Sequence, residues 1–291
     1  MNYTSLKELI DIAEKRGEKI GHIVKVFEAE EMEKDITVIE KEMKDRYLIM
    51  LKAIEKGLHT EIRSVSGITG GEGRRLWKSH RKMLSGDIIS KAMSYAMAIS
   101  NMNAGMGKIV AVPTAGAGGI VPGVLKAVSE ANKNTESEVI DALFTAGAIG
   151  KIIAIRATLS GAEGGCQAEC GAGAAMAAGG ALELSGGRPK EIGNAVAIVL
   201  KSIMGLVCDP VAGLVEVPCI KRNGIYTSIA ISAADMALSG IESVIPPDEV
   251  IDAMKEVGDS MPPSLKETAL GGIAQTPTAL AITRKIRKNK G

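Results

Sequence analysis

Aromatic residues and net charge are both scarce in this 291-residue sequence. Only 2% of the residues are aromatic, with one Trp and two Phe, so the chain has little with which to stack on nucleic-acid bases. The 35 Lys and Arg residues are balanced by 34 Asp and Glu, and a net charge of +1 lacks the basic excess that is typical of nucleic-acid binding. We therefore expect no nucleic-acid partner.

Long apolar runs are also missing. Lys201 interrupts the stretch AVAIVLKSIMGLV, and Glu163 and Glu169 interrupt the Gly- and Ala-rich segment before it, so we expect no membrane span. The N-terminal MNYTSLKELIDIAEK mixes acids with bases and lacks the apolar core of a secretory signal, which favours a cytoplasmic location. In that reducing compartment, four cysteines within residues 166–219 indicate metal binding or reactive thiols rather than disulfides.

Helical periodicity dominates what is present. Thr135 and Glu138 have the spacing of a capping box and predict the start of a helix. Apolar residues at steps of three or four predict one long helix over Glu28–Ile54. Pro189 predicts another helix, which ends near Cys208. No sustained alternation indicates a large antiparallel sheet, so the predicted fold class is mostly α.

The composition changes after Thr60. A charged helical segment over residues 1–60 gives way to a Gly-dense region over 61–291, and we expect the two to form one continuous domain. Three stretches carry most of the glycine, namely SVSGITGGEG at 64–73, PTAGAGGIVPG at 113–123 and GAEGGCQAECGAGAAMAAGG at 161–180.

These glycine-rich stretches do not match the common nucleotide-binding loops. In the dinucleotide pattern G-x-G-x-x-G, Val121 stands where the third glycine belongs. In the phosphate-binding pattern G-x-x-x-x-G-K-[ST], Met102 replaces the first glycine and Ile109 the hydroxyl residue. What remains is a pair of loops with backbone amides and small hydroxyls, which can bind a carboxylate or phosphate. Glycines that only permit close helix packing are an equally good explanation.

The cysteines leave two interpretations open. Cys166 and Cys170 are four residues apart and would share one face of a helix, while Cys208 and Cys219 lie beside prolines. Four cysteines can hold zinc or an iron–sulfur cluster, but neither paired C-x-x-C motifs nor a ferredoxin run is present. Four buried reduced thiols are the alternative.

Four segments in order resemble the α chain of the iron–sulfur-dependent L-serine dehydratases: SGITGGEG, VPTAGAGGIVPGVL, GAEGGCQAECGAGAAMAAGG and CDPVAGLVEVPCIKRN. The resemblance extends from about Arg63 to Met261. It implies a mostly helical catalytic domain over 61–291, with glycine-rich loops around a [4Fe–4S] cluster. Matching the family motifs residue by residue gives Cys166, Cys208 and Cys219 as the ligands, whereas Cys170 lies off the family pattern.

The same resemblance implies conversion of L-serine to pyruvate and ammonia by elimination of water. Three cysteine ligands leave one of four irons open, and an open iron can act as a Lewis acid on the leaving hydroxyl. A pyridoxal mechanism would need a lysine after a phosphate cup, and no such signature is present. We expect the glycine-rich loops to hold the substrate carboxylate through Ser66, Thr69, Gly70, Thr114 and Gly116.

No catalytic base can be assigned from the sequence. His22, His59 and His80 are the only histidines, and none has a recognisable catalytic setting. Single-chain members of the family carry an extra N-terminal domain and a terminal cysteine, whereas the last cysteine here is Cys219. The resemblance therefore implies the two-chain form, with a separate β chain and an oligomeric enzyme. A related eliminase acting on cysteine or threonine is the alternative, and a structural or redox metal module is the non-enzyme alternative.

Overall fold

A computed structural model of the chain describes residues 3–288, apart from the side chain of His80. Within this range the chain is built from helices and contains no strands, so the predicted mostly α class is confirmed. No helix in this range is both long enough and apolar enough to cross a membrane. The α-helices are α1 Leu6–Arg16, α2 Ile20–Glu31, α3 Ile36–His59, α4 Glu72–Ser79, α5 Gly86–Ala104, α6 Ile120–Asn132, α7 Glu136–Arg156, α8 Gly161–Gly164, α9 Ala172–Leu184, α10 Pro189–Ser202, α11 Cys219–Leu238, α12 Pro247–Ser260 and α13 Pro277–Lys288.

Helix α9 forms the centre of the fold. All 13 of its residues, AGAAMAAGGALEL, are buried. A helix that is apolar on every side cannot lie at a surface, and α6, α7, α10 and α11 pack around it. Its N-terminal end continues directly from Cys166 through a short turn. The most buried helix of the protein therefore positions one of the predicted ligands.

Close helix contacts account for part of the high glycine content. A Cβ atom at Gly21 would lie 2.1 Å from the carbonyl oxygen of Asp141, where α2 packs on α7. A Cβ atom at Gly119 would lie 2.2 Å from the carbonyl oxygen of Ala96. A side chain at either position would force the helices apart. For these two glycines, close packing is therefore a sufficient explanation.

The predicted helix boundaries are correct in one case and wrong in two. The capping box of Thr135 and Glu138 starts α7 and is confirmed. The single helix predicted over Glu28–Ile54 is wrong, because the Asp35 carboxylate accepts from the N–H of Thr37 and caps a new helix, α3. The helix that begins at Pro189 ends at Ser202 rather than near Cys208. Cys208 therefore lies in a loop.

Helices α1 to α3 pack into the same core as the rest of the chain. Leu6, Ile23 and Ile54 are each at most 1% exposed and belong to the cluster of buried residues that also contains α9. The boundary near residue 60 stays a prediction, because a shared core neither requires nor excludes it.

A buried carboxyl, Glu183, joins three helices at the far end of α9. Both carboxyl oxygens accept from the N–H of Gly21, at 3.3 and 3.2 Å, and one also accepts from the hydroxyl of Thr145. Burial raises the pKa of Glu183 from its ordinary value of 4.5 to about 7. The folded chain therefore holds this proton more tightly than the unfolded chain, so the associated stability is complete below about pH 4.5 and is lost as the pH rises to about 7.

We expect Glu183→Gln to stabilise the chain at pH 8 by about 3 kcal/mol and to have little effect near pH 4.5, since the pKa rises from 4.5 to about 7 and one pKa unit corresponds to about 1.4 kcal/mol. Urea unfolding at the two pH values measures the difference, and Glu256→Gln, on the exposed side of α12, controls for the loss of a charge. An equal effect of Glu183→Gln at both pH values would show that the pKa of Glu183 is not raised in the folded chain.

Candidate functional site

Cys166 lies at the buried turn that leads into α9. Gly165 before it has a φ of 76°, and a Cβ atom there would lie 2.7 Å from the carbonyl oxygen of Leu206, so the turn requires glycine. The side chain of Gln167 donates to the carbonyl of Met254 at 3.0 Å and ties the turn to α12. The five residues after Cys166 form a π turn, a distortion that is frequent at functional sites.

Cys208 is held in its loop by a segment from near the end of the chain. Its N–H donates to the carbonyl of Leu265 at 2.9 Å, and its carbonyl accepts from the N–H of Glu267 at 2.7 Å. The next residue, Asp209, is 2% exposed and accepts from the guanidinium of Arg222 at 2.8 Å. The backbone of Cys208 is therefore fixed on both sides.

Cys219 is the first residue of α11. One turn later, the fully buried side chain of Asn223 donates to the carbonyl oxygens of Cys219 at 3.0 Å and Gly116 at 2.6 Å. The same side chain accepts from the N–H of Gly119 at 3.1 Å. Asn223 therefore joins the glycine-rich loop over 113–119 to the helix that carries the third predicted ligand.

The three predicted ligand thiols lie close enough to act on one another's pKa. Burial, together with a smaller effect of charge at Cys166, raises the pKa of Cys219 to about 12. Burial also raises the pKa of Cys208, again with a contribution from Cys166. A hydrogen bond with Cys170 lowers the pKa of Cys166, as does the charge of Arg222, against the opposing effect of burial. The structure thus places Cys166 within electrostatic reach of both Cys208 and Cys219. Cys170 is hydrogen-bonded to Cys166.

The hydroxyl groups of Ser66 and Thr69 both point at one carboxylate. They donate to Oε2 of Glu216, at 2.6 and 3.0 Å. Glu216 is 5% exposed and lies three residues before Cys219. The loop over residues 64–70 is thereby attached to the segment that carries a predicted ligand.

Thr114 and Gly116 face a second carboxylate, that of Glu169. The hydroxyl of Thr114 donates to Oε1 of Glu169 at 2.5 Å, and a Cβ atom at Gly116 would lie 2.5 Å from the same oxygen. Gly116 is therefore required for the approach of the carboxylate. Within residues 3–288, the N–H of this buried glycine has no hydrogen-bond acceptor. An N–H without an internal acceptor can donate to a ligand, and the role of Gly116 in substrate binding stays a prediction.

Gly70 and the two histidines whose side chains are described have partners other than the thiols. The carbonyl of Gly70 accepts from Arg75 at 2.8 Å, and Gly70 and Thr69 line a cavity of about 220 Å³ beside the 64–70 loop. His22 and His59 have exposed side chains beside glutamates one helical turn earlier. The side chain of His80 is outside the described part of the chain.

The sequence interpretation missed Glu169 and Glu216 as site residues. Each lies three residues from a predicted ligand, Cys166 in the first case and Cys219 in the second. A charged residue three positions from a cysteine in a Gly- and Ala-rich segment is a signal for Glu169, but the exposed Glu163 has the same spacing from Cys166, so the spacing alone could not choose between them. For Glu216, no feature of the sequence indicates that its partners come from a loop 150 residues away.

The donor set suits an iron–sulfur cluster. Two buried thiols and the half-buried thiol of Cys219 act on one another's pKa, and a bound cation would favour the thiolate forms that burial otherwise disfavours. Among the described residues, no group of three His, Cys, Asp or Glu side chains is arranged to hold one metal ion. A [4Fe–4S] cluster binds each thiolate to a different iron, so it does not require the sulfurs to meet at a single point.

Comparison with known proteins gives concordant results. The sequence model of a family described as "Serine dehydratase alpha chain" matches residues 15–274. The "Probable L-serine dehydratase, alpha chain" of Bacillus subtilis (strain 168) is 48% identical over 286 residues, which cover 98% of this chain and 95% of that protein. The "L-serine dehydratase, alpha chain" of Peptoniphilus asaccharolyticus is 39% identical over 97% of both chains.

Longer relatives match over only part of their length. The "L-serine dehydratase TdcG" of Escherichia coli (strain K12) is 39% identical over 239 residues, or 78% of this chain but 52% of that protein. This chain therefore spans about half the length of such a relative.

Proposed function

This chain belongs to the serine dehydratase alpha chain family, and from that membership we propose that it deaminates L-serine to pyruvate and ammonia. We further propose that Cys166, Cys208 and Cys219 hold a [4Fe–4S] cluster during this reaction. The observation that supports the cluster best is that three thiols from separate segments, those of Cys166 and Cys208 buried and that of Cys219 half-buried, lie within electrostatic reach of one another.

The chain's own groups bind and orient the substrate. When bound, the cluster would supply an open iron as a Lewis acid for the hydroxyl of the substrate. The N–H of Gly116, which has no acceptor among the described residues, is our candidate donor to the substrate carboxylate, and the hydroxyls of the 64–70 loop are the other candidates. Orientation of this kind removes much of the entropic part of the barrier.

Glu169 is our candidate for the proton that the departing hydroxyl needs in order to leave as water. Burial raises the pKa of its carboxyl, and the charge of Glu267 raises it further against the hydrogen bond from Thr114. A Cβ atom at Gly161 would lie 3.1 Å from Sγ of Cys208 and 3.2 Å from Oε2 of Glu169, so this oxygen and the Cys208 sulfur border the same small space. This oxygen accepts no hydrogen bond from the residues that the structure describes.

We expect Glu169→Gln to lower kcat by about 10²–10⁴-fold, because the amide keeps the shape but cannot transfer the proton. Iron content should be unchanged, since Glu169 is not among the proposed ligands. The matched control is Glu163→Gln, an exposed acid of α8. Full kcat in the Glu169→Gln enzyme would show that the proton comes from elsewhere.

The base that removes the α proton is assigned to a separate β chain. Relatives named α chain imply such a partner, and the longer relatives have room for it in their own sequence. We propose that the two chains form an oligomer in the cytoplasm.

Anaerobic pyruvate formation from L-serine, by this chain mixed with the β chain, tests the proposed function. We expect pyruvate from L-serine at a kcat/KM well above that for L-threonine or L-cysteine. A higher kcat/KM on either alternative would reassign the substrate, and no product from any of the three by iron-loaded protein would refute an eliminase.

A further inference from the structure

Glu216 makes two hydrogen bonds to a distant loop through a single oxygen. Its carboxylate is buried, and Oε2 accepts from Ser66 at 2.6 Å and from Thr69 at 3.0 Å. Hydrogen bonds to an ionised acceptor are about twice as strong as neutral ones. These are therefore strong contacts between segments far apart in sequence.

The backbone of Glu216 is also held by hydrogen bonds, on the side of the Cys219 segment. Its N–H donates to the carbonyl of Leu214 at 2.7 Å, and its carbonyl accepts from the N–H of Ile220 at 3.1 Å, in the first turn of α11. Cys219 stands between Glu216 and Ile220. A displacement of the Cys219 segment would therefore move the Glu216 carboxylate with it.

The loop that receives these contacts is internally closed. The N–H of Ser64 donates to the carbonyl of Thr69 at 3.0 Å, and the N–H of Ile68 donates to the hydroxyl of Ser66 at 3.1 Å. Ser66 thus accepts from its own loop while donating to Glu216. The N–H of Val65 also donates to the carbonyl of Ala104, at the end of α5, at 3.0 Å, and the Glu216 carboxylate adds the connection from this loop to the Cys219 segment.

We propose that Glu216 is a positioning residue, which couples the loop over residues 64–70 to the segment that carries Cys219. The role in substrate binding rests on the proposed function, whereas the coupling itself does not. The carboxylate holds the loop in the conformation that receives the substrate, and it takes no part in the bond-breaking steps. Loss of the carboxylate should therefore weaken substrate binding and leave the turnover rate nearly unchanged.

Two measurements on Glu216→Gln test this coupling in the iron-loaded chain. Without substrate, hydrogen exchange at the amides of residues 64–70 should accelerate by about 10-fold or more, because the loop loses charge-assisted bonds. With the β chain present, KM for L-serine should rise by about 10-fold to 100-fold while kcat changes by less than about 3-fold. The control variant Glu163→Gln, which changes an exposed acid of α8, should alter neither the exchange rate nor KM.

A double-mutant cycle separates positioning from a general structural role. In the Ser66→Ala, Thr69→Ala background the carboxylate has lost both partners, so adding Glu216→Gln should have little further effect on KM or on exchange. If Glu216→Gln does not fold, the Ser66→Ala, Thr69→Ala variant carries the same expectations.

The outcomes are distinguishable. Unchanged exchange at residues 64–70 in Glu216→Gln would overturn the coupling, whether or not the chain acts on L-serine. A fall in kcat at constant KM would overturn it as well, because that result assigns the carboxylate to the reaction. Faster exchange with no activity on L-serine in the unmutated enzyme would retain the coupling and reject the proposed function.

Discussion

Replacing Cys166, Cys208 or Cys219 with serine is expected to remove the cluster and the activity together. Each thiol comes from a different segment, and a serine hydroxyl at any of the three positions cannot supply the thiolate that the cluster needs. Loss even of a residue that supports a metal ligand costs about 10–100-fold, and loss of a ligand should exceed this. Iron content, the visible absorption spectrum and pyruvate formation are measured on each anaerobically purified variant.

Cys170→Ser is the internal control for these three variants. Cys170 is as buried as Cys166, and the two thiols are joined by a hydrogen bond, but Cys170 lies off the family's ligand pattern. We expect this variant to keep its iron and most of its activity. Loss of the cluster in Cys170→Ser, or its retention in any of the other three, would show that the ligands are assigned wrongly.

Adding the β chain to this chain is expected to raise the turnover of L-serine by about 10²–10⁴-fold, the usual contribution of one placed general base. The histidines whose side chains are described, His22 and His59, lie exposed beside Glu18 and Glu55 rather than at the thiols. We expect the chain alone to fold and bind iron, because its own buried residues form one continuous core and all three proposed ligands belong to this chain.

The measurement is the initial rate of pyruvate formation during a titration of this chain with the β chain. The rate should saturate at a fixed ratio of the two chains, and an unrelated protein at the same concentration should have no effect. Full turnover by the isolated chain would place the base among its own residues, with Glu169 the first to test.

Local signals in the sequence predicted the helical class and the starts of α7 and α10. The capping pair Thr135 and Glu138 was sufficient for α7, because the hydrogen bonds that start a helix are made within a few residues. The break before α3 was missed because the apolar spacing continues across it, while the cap at Asp35 overrides that spacing. The position at which a helix starts can therefore depend on one capping hydrogen bond, as it does at Asp35.

The site was only partly predictable for a related reason. The cysteine segments and the hydroxyl loops could be identified from their motifs, but their mutual arrangement could not. Glu216 meets Ser66 across 150 residues, and Glu169 meets Thr114 across 55. Contacts at such separations depend on how helices pack around α9, and no local pattern encodes them.

The most direct test of the proposed iron–sulfur chemistry is the metal and sulfide content of the chain purified without oxygen. We predict about four irons and about four acid-labile sulfides per chain, in a brown protein that air bleaches. A colourless protein with stoichiometric zinc and no sulfide would contradict this prediction and leave the three thiols as part of a structural metal site.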